Sequence, residues 1–226
     1  LMFPEADRFG GDEVFISWVK DNGIILAQDA SSRGRSDTAP YVGTATLGAG
    51  DAYDFVPKYK GLVTNIKALE EVAWGVGLIN AGVEVDNITR RIPLLSQING
   101  QLYPAMPLEI IRVIQDKPSY SLKADLDGIK DVMIPPYEPI KTDYNSSIWL
   151  NTNYTHVEYE YGKDVLPNLQ GRTVLVGLSA SGLGVQIPTP QGLFYAHELQ
   201  ASALQTVMDG TSISRPQWAD LLELFL

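Results

Sequence analysis

The sequence predicts an α/β fold, a three-layer arrangement with a mixed, partly parallel central sheet plus antiparallel hairpins. Three observations lead there. The uncharged, β-branched run Thr173–Val176 is bounded by Gly171 and Gly177, as a central strand covered on both faces would be. Short apolar stretches alternate with segments of helical spacing along the whole chain. Finally, Asn99-Gly100, the strongest two-residue turn signal, separates two apolar runs.

The elements follow in order. Asp12–Asp21 carries Val14, Ile16, Trp18 and Val19 among acidic residues and ends at Asn22-Gly23, so a helix is expected, then a short strand at Gly23–Ala27. Residues Asp29–Asp54 are rich in Ser, Thr, Gly and Asp without lasting periodicity and read as a long, exposed and mobile excursion. From Ala68 to Gly77 helical spacing gives way to glycines, and Gly77–Gly82 leads toward Val83–Asn87. Arg90–Ile98 and Gln101–Pro104 form the two arms of a hairpin around Asn99-Gly100. Pro107–Ile114, with Leu108, Ile111 and Ile114 at helical spacing, packs one apolar face on the sheet.

Tyr120–Tyr161 alternates polar and apolar residues between Asp127-Gly128, Pro135-Pro136 and Asn145-Ser146, as half-exposed antiparallel strands and turns would. Pro188-Thr-Pro190 cannot be helix interior. Ala196–Met208 places Ala196, Leu199, Ala203 and Val207 on one helical face, and Asp209-Gly210 stops it as a C-cap would.

Composition narrows function. At 226 residues, 45% hydrophobic and 19% charged, the chain can bury a sizeable core as one large domain or two small ones. A net charge of -10 argues against a phosphate backbone as partner, so nucleic acid is not expected. The absence of cysteine removes disulfides, thiolate metal sites and cysteine nucleophiles together. The Asn-x-Ser/Thr triplets at Asn87, Asn145 and Asn153 read as accidental. No window approaches the roughly 20 apolar residues that span a bilayer, while the terminal Leu221–Leu226 either finishes an amphipathic helix or begins a membrane helix.

Chemistry concentrates on Gly177-Leu-Ser-Ala-Ser-Gly182-Leu-Gly184, because parallel α/β sheets place ligands beyond the carboxyl ends of their strands. A serine hydrolase would use Ser179 with His197, but the elbow Gly-x-Ser-x-Gly is broken by Ser181. A phosphate cradle lacks a Gly-Lys-Ser/Thr ending, and its glycines miss Gly-x-Gly-x-x-Gly spacing. With only His156 and His197, a zinc site would need carboxylates from distant segments, so neither metal nor cofactor is expected. Glu158-Tyr-Glu160 and Asp125-Leu-Asp127 read as solvated faces, not calcium loops.

Three blocks, in this order, carry a family resemblance. They are Gly77-Leu-Ile-Asn-Ala-Gly-Val-Glu-Val-Asp86 with Arg90-Arg-Ile-Pro-Leu94, then Leu169-Gln-Gly-Arg-Thr-Val-Leu-Val-Gly177 with Gly182-Leu-Gly184, then Glu198-Leu-Gln-Ala-Ser-Ala-Leu-Gln-Thr-Val207. Together they resemble the type-two CHASE domain, the cyclase- and histidine-kinase-associated sensory extracellular domain. Val185 stands where that family has an acidic residue after the Gly-Leu-Gly turn, Gln200 where it has a histidine, and Ile88 or a neighbour where its aspartate loop has glycine. By this resemblance the first strand and helix of such domains, which precede the segment matching Phe3-Pro-Glu5, are not expected in this sequence.

The resemblance implies a sensor domain over residues 1–220 on the periplasmic, extracytoplasmic face of a bacterial inner membrane. It implies flanking transmembrane helices, with Leu221–Leu226 beginning one, and a homodimeric receptor. The output would be an intracellular adenylate or guanylate cyclase, a histidine kinase or another kinase, with no catalysis in this domain. The expected ligand, a small molecule or a membrane-derived signal, would sit between the Ser179–Gly184 turn and the Asp86–Arg91 loop. Backbone donors and an arginine meet there, so Asp86, Arg90, Arg91, Ser179, Ser181 and Gly182 are the candidate contacts. A structural salt bridge from the arginines to Asp86 is the competing reading, and a non-catalytic dimerisation or assembly module the competing function.

Overall fold

A computed structural model of the chain describes residues 1–31, 44–48, 50–180 and 182–213. Ser181 and the stretch Leu221–Leu226 lie outside the described residues. Among those described, no helix is long and apolar enough to cross a membrane.

Helix α1 (Asp12–Asp21) has the expected bounds, with Asp12 and Glu13 in its first turn, where carboxylates complement the helix dipole. It buries Val19 against Leu26, Leu69 and Val76. Gly23 follows with φ 65°, the left-handed conformation that ends a helix.

Strand β1 (Ile25–Ser31) then changes partner midway. Ile25–Gln28 runs parallel to β5 (Gly75–Leu78), whereas Asp29–Ser31 runs antiparallel to β4 (Gly61–Val63). At the fork a side chain replaces the ladder. The Ala30 amide donates to Asn80 Oδ1 (2.7 Å), and Asn80 Nδ2 donates to the Ala30 carbonyl (3.0 Å) and to Asp29 Oδ1 (2.7 Å). Burial pushes the Asp29 carboxyl above the usual carboxylate range, and the Asn80 hydrogen bond opposes that.

Helix α4 (Met106–Ile114) lies on β5 at very close range. A Cβ on Gly77 would fall 2.6 Å from the Met106 Cα, and one on Gly75 would collide with the Glu109 carboxylate. Glu109 is fully buried and is held by Arg112, whose Nε and Nη2 donate to it at 2.8 and 2.7 Å. Ile114 departs from the expectation for this helix: half of its surface stays in solvent while Leu108 and Ile111 are buried.

The hairpin forms as the sequence requires, from β7 (Leu95–Ile98) and β8 (Gln101–Pro104), with Asn99 and Gly100 both at positive φ as a type I′ turn demands. Residues 91–93 do not extend it. They form β6 (Arg91–Pro93), which pairs with β12 (Ser147–Trp149). In the antiparallel region, β9 (Tyr120–Asp125), β10 (Gly128–Met133) and β11 (Ile140–Lys141) pair in sequence, and β2 (Thr44–Leu47) adds to β9 in parallel. The class is therefore mixed α/β, but its strands divide among several short sheets. The largest core cluster joins Leu94, Leu102, Leu108, Tyr120, Leu122 and Ile148 to Leu204 and Val207 of α5 (Ala196–Met208).

Two expectations are corrected. The stretch Asp29–Asp54 is not one exposed excursion: β1 reaches Ser31, β2 joins a sheet, and α2 (Ala52–Phe55) buries Ala52 completely; residues 32–43 and 49 lie outside the described set. More consequentially, Thr173–Val176 is not a strand, and Val174 and Val176 are 51% and 65% exposed. Among the described residues the run pairs with no strand, and on the outer side of β5 a single isolated bridge joins Leu78 to Ala105 just before α4. Leu175 alone of this run packs on the main core.

Gly77→Ala is expected to destabilise the fold by about 1–3 kcal/mol in chemical denaturation, because its methyl meets backbone that cannot move aside. Gly82→Ala, which would meet only the Arg91 carbonyl at 3.4 Å, serves as the near-neutral comparison.

Candidate functional site

The polypeptide leaves β5 through Asn80 and turns within a short loop before entering β6. The loop builds itself from local hydrogen bonds. The Glu84 amide donates to the Ile88 carbonyl (3.3 Å), the Asn87 amide to the Glu84 carbonyl (2.9 Å), and the Ile88 amide to Asp86 Oδ1 (3.1 Å). Asn87 takes φ 62°, a conformation asparagine tolerates better than most residues. A bridge between Gly82 and Arg91 closes the base.

This turn brings Asp86 and both arginines together. Arg90 grips Asp86 with two parallel hydrogen bonds, Nη1 to Oδ1 at 3.0 Å and Nη2 to Oδ2 at 2.7 Å, and lies 3.5 Å from Glu84. Arg91 turns away from Asp86. Its Nε donates to Glu84 (3.0 Å), its Nη1 donates to Asp143 (3.0 Å), and its guanidinium lies 5.0 Å from the ring centre of Trp149. The β6/β12 register produces that last contact, since it sets Trp149 opposite Arg91. Asp143 is itself fixed by the amides of Ser147 (2.7 Å) and Asn145 (3.2 Å).

The electrostatics follow from these contacts. The Arg90 hydrogen bonds, followed by the Ile88 amide, hold the Asp86 carboxyl down at about 2. The same hydrogen bonding raises the Arg90 guanidinium above its ordinary value. Burial works to lower Arg91, but Glu84 and then Asp143 outweigh it and the net direction is up. Beside the network lies a cleft of about 570 Å³, lined by residues 82–86 with Arg91, Asn145 and Ser147. The side chains of Val83 and Val85 are exposed, so the cleft combines charged and apolar surface.

The second group of expected contacts is not part of the lining of this cleft. Ser179 and Gly182 are exposed on a tight turn in which the amides of Leu183 and Gly184 both donate to the Ala180 carbonyl at 3.0 Å, and Gly182 has φ 84°. Gly184 presses on Tyr195, and Gly177 presses on the His197 ring. Among the described residues no hydrogen bond or ion pair joins this turn to the Asp86–Arg91 loop. An indirect route exists: the turn runs into the hairpin β13 (Gln186–Thr189) and β14 (Gly192–Tyr195), and the Thr89 amide donates to the Pro188 carbonyl at 2.8 Å.

Sequence reasoning paired both arginines with Asp86 and missed three partners. Glu84 had a local signal, the acid–x–acid spacing Glu84/Asp86 ahead of two arginines. Asp143 and Trp149 had none, because pairing between β6 and β12 alone brings them near. Gln200, expected at a family histidine position, is buried and donates from Nε2 to the Ile79 carbonyl at 3.1 Å, so it clamps the end of β5.

The CHASE2 domain family model matches residues 1–226, the whole chain, and the protein belongs to that family of sensory, extracellular-type, non-catalytic domains. No curated protein and no solved structure matches it.

The Asp86 shift fixes a pH dependence. A carboxyl lowered by folding adds stability that is complete above its unfolded value of about 4 and is lost as pH falls through about 2. The melting temperature of the native protein should therefore exceed that of Asp86→Asn above about pH 4, and the two should converge near pH 2.

Proposed function

We propose that this CHASE2 chain is the extracytoplasmic signal-sensing part of a bacterial membrane receptor and governs an intracellular nucleotide cyclase or histidine kinase. In this reading residues 1–220 form the sensor, anchored through flanking transmembrane helices, and the receptor works as a homodimer. The observation that carries the reading is the family match over residues 1–226, together with a cleft lined by charged and apolar side chains beside the arginine loop.

The ligand-facing residues are Asp86, Arg90 and Arg91 on the loop, with Ser179, Ser181 and Gly182 on the turn. Arg90 is already neutralised by Asp86, so a small anionic or polar ligand competes with that carboxylate. Arg91, locked between Glu84, Asp143 and Trp149, holds the cleft wall. A ligand shifts the receptor only by its difference in affinity for two conformations, typically worth about 1–3 kcal/mol.

The exposed apolar side chains Val174, Val176, Leu178, Leu183 and Val185 favour a second reading, an assembly module that dimerises and binds nothing small. Light scattering beside a ligand screen separates the two.

In a thermal-shift screen of small polar and anionic compounds, an authentic ligand at about 100 times its Kd should raise Tm by about 5–10 °C. Arg90→Ala should abolish that shift, and Ser179→Ala should reduce it. Stabilisation untouched by either change would remove the cleft and turn as the site. Turnover of a simple ester, lost in Ser179→Ala, would overturn the non-catalytic reading.

A further inference from the structure

The run that begins at Thr173 has the composition of a strand, and the structure leaves it half docked and unpaired. Leu175 packs on the main core and Gly177 lies against the His197 ring, whereas Val174, Val176 and Leu178 are each at least half exposed. This is the two-residue alternation of an extended segment, with one face on the protein and the other in solvent. Among the described residues no backbone–backbone hydrogen bond involves Thr173–Ser179. Main-chain donors and acceptors therefore stand beside three exposed aliphatic side chains.

Edges of this kind are ordinarily guarded by charge or proline. Here both guards are missing. Residues 173–187 contain no proline, and no Asp, Glu, Lys or Arg occurs between Arg172 and Glu198, the longest such interval in the chain. Leu183, Val185 and Leu193, all exposed, lie in the same interval and add to its apolar character.

The charge pattern selects the occupant. With a net charge of -10, two copies of the chain repel one another over most of their surfaces, and the interval 173–197 is where they can touch without setting carboxylate against carboxylate. A basic partner would be drawn to the acidic surfaces instead. The spacing of the three side chains is also self-complementary. In an antiparallel self-pair that pivots on Val176, Val176 meets its own counterpart and Val174 meets Leu178 of the second copy, twice by symmetry. Arg172 then falls opposite Ala180, so the two guanidiniums stand at opposite ends. Shifting the pivot to Leu175 sets Leu178 against Arg172, and shifting it to Gly177 sets Val174 against Ala180, so Val176 is the pivot that joins all three aliphatic side chains.

We propose that residues 172–178 are a docking strand for a second copy of this chain, joining two copies as antiparallel strands about a two-fold axis at Val176. This contact rests on the homodimer reading above and gives that dimer its surface. It is strand addition in which each copy serves as the other's edge.

Because the chain has no cysteine, single substitutions report the register directly. When the 226-residue chain is oxidised at about 100 µM, Val176→Cys should give a disulfide-linked dimer on a non-reducing gel, since directly opposed Cα atoms stand about 4.5–5.5 Å apart, within disulfide reach. Val174→Cys and Leu178→Cys alone should cross-link at least about tenfold less, each lying about 13 Å from its counterpart, whereas an equimolar mixture of the two should cross-link as readily as Val176→Cys. Val176→Lys, which sets two ammonium groups face to face, should raise the dimer Kd in analytical ultracentrifugation by about tenfold or more with circular dichroism unchanged. A dimer that is unmoved by Val176→Lys and not cross-linked through Val176→Cys would overturn this contact and leave the homodimer reading standing. Equal cross-linking at all three positions would overturn it as well. A chain that stays monomeric at about 100 µM would overturn both the contact and the homodimer reading.

Discussion

The rest of the structure depends on how closely β5 is held between β1 and α4. Glycine at positions 75 and 77 lets the helix backbone come down onto the strand, and no side chain could be placed there without displacing Met106 or Glu109. That approach buries Glu109, and Arg112 satisfies it from one helical turn away. Because a buried carboxylate without its partner would cost several kcal/mol, the glycines and the ion pair form one requirement. β5 thereby fixes where the chain emerges, at Asn80, and the loop with both arginines begins a few residues later.

The fork at Asn80 shows how a side chain can end a ladder without leaving polar groups unpaired. β1 must leave β5 to pair with β4, and the Ala30 backbone, which turns from one partner to the other, is taken up by the Asn80 amide. Ile79 is fastened twice, its amide to the Gln28 carbonyl and its carbonyl to Gln200. The last turns of α5 bury Leu204 and Val207 in the main core, so α5 joins the end of the parallel pair to that core. Buried backbone groups are nearly always paired, and here side chains from distant parts of the sequence supply the partners.

What the sequence revealed followed the range of the forces involved. α1, α5 and the Asn99-Gly100 hairpin were legible because caps, periodicity and positive-φ turn residues act within a few positions. The strand expected at Thr173–Val176 failed for the opposite reason. Its β-branched residues satisfy every local preference, but a strand also needs a partner to pair with, and this run has none among the described residues and leaves Val174 and Val176 in solvent. The Arg90–Asp86 pair was visible four residues apart, whereas the Asp143 and Trp149 partners of Arg91 arise only from strand pairing. His156 read as an ordinary edge residue because its neighbours on α5 lie more than forty positions away.

The hairpin β13/β14 ties the arginine loop to the start of α5. At one end Pro188 accepts from the Thr89 amide, two residues from Asn87 and next to Arg90. At the other, Tyr195 caps α5 and stacks on His197, while the amide of Ala196 reaches the Val185 carbonyl at the foot of the glycine turn. Coupling between sites requires an element that both bias, and among the described residues this hairpin is the one element bonded to the arginine loop at Pro188 and to α5 at Tyr195.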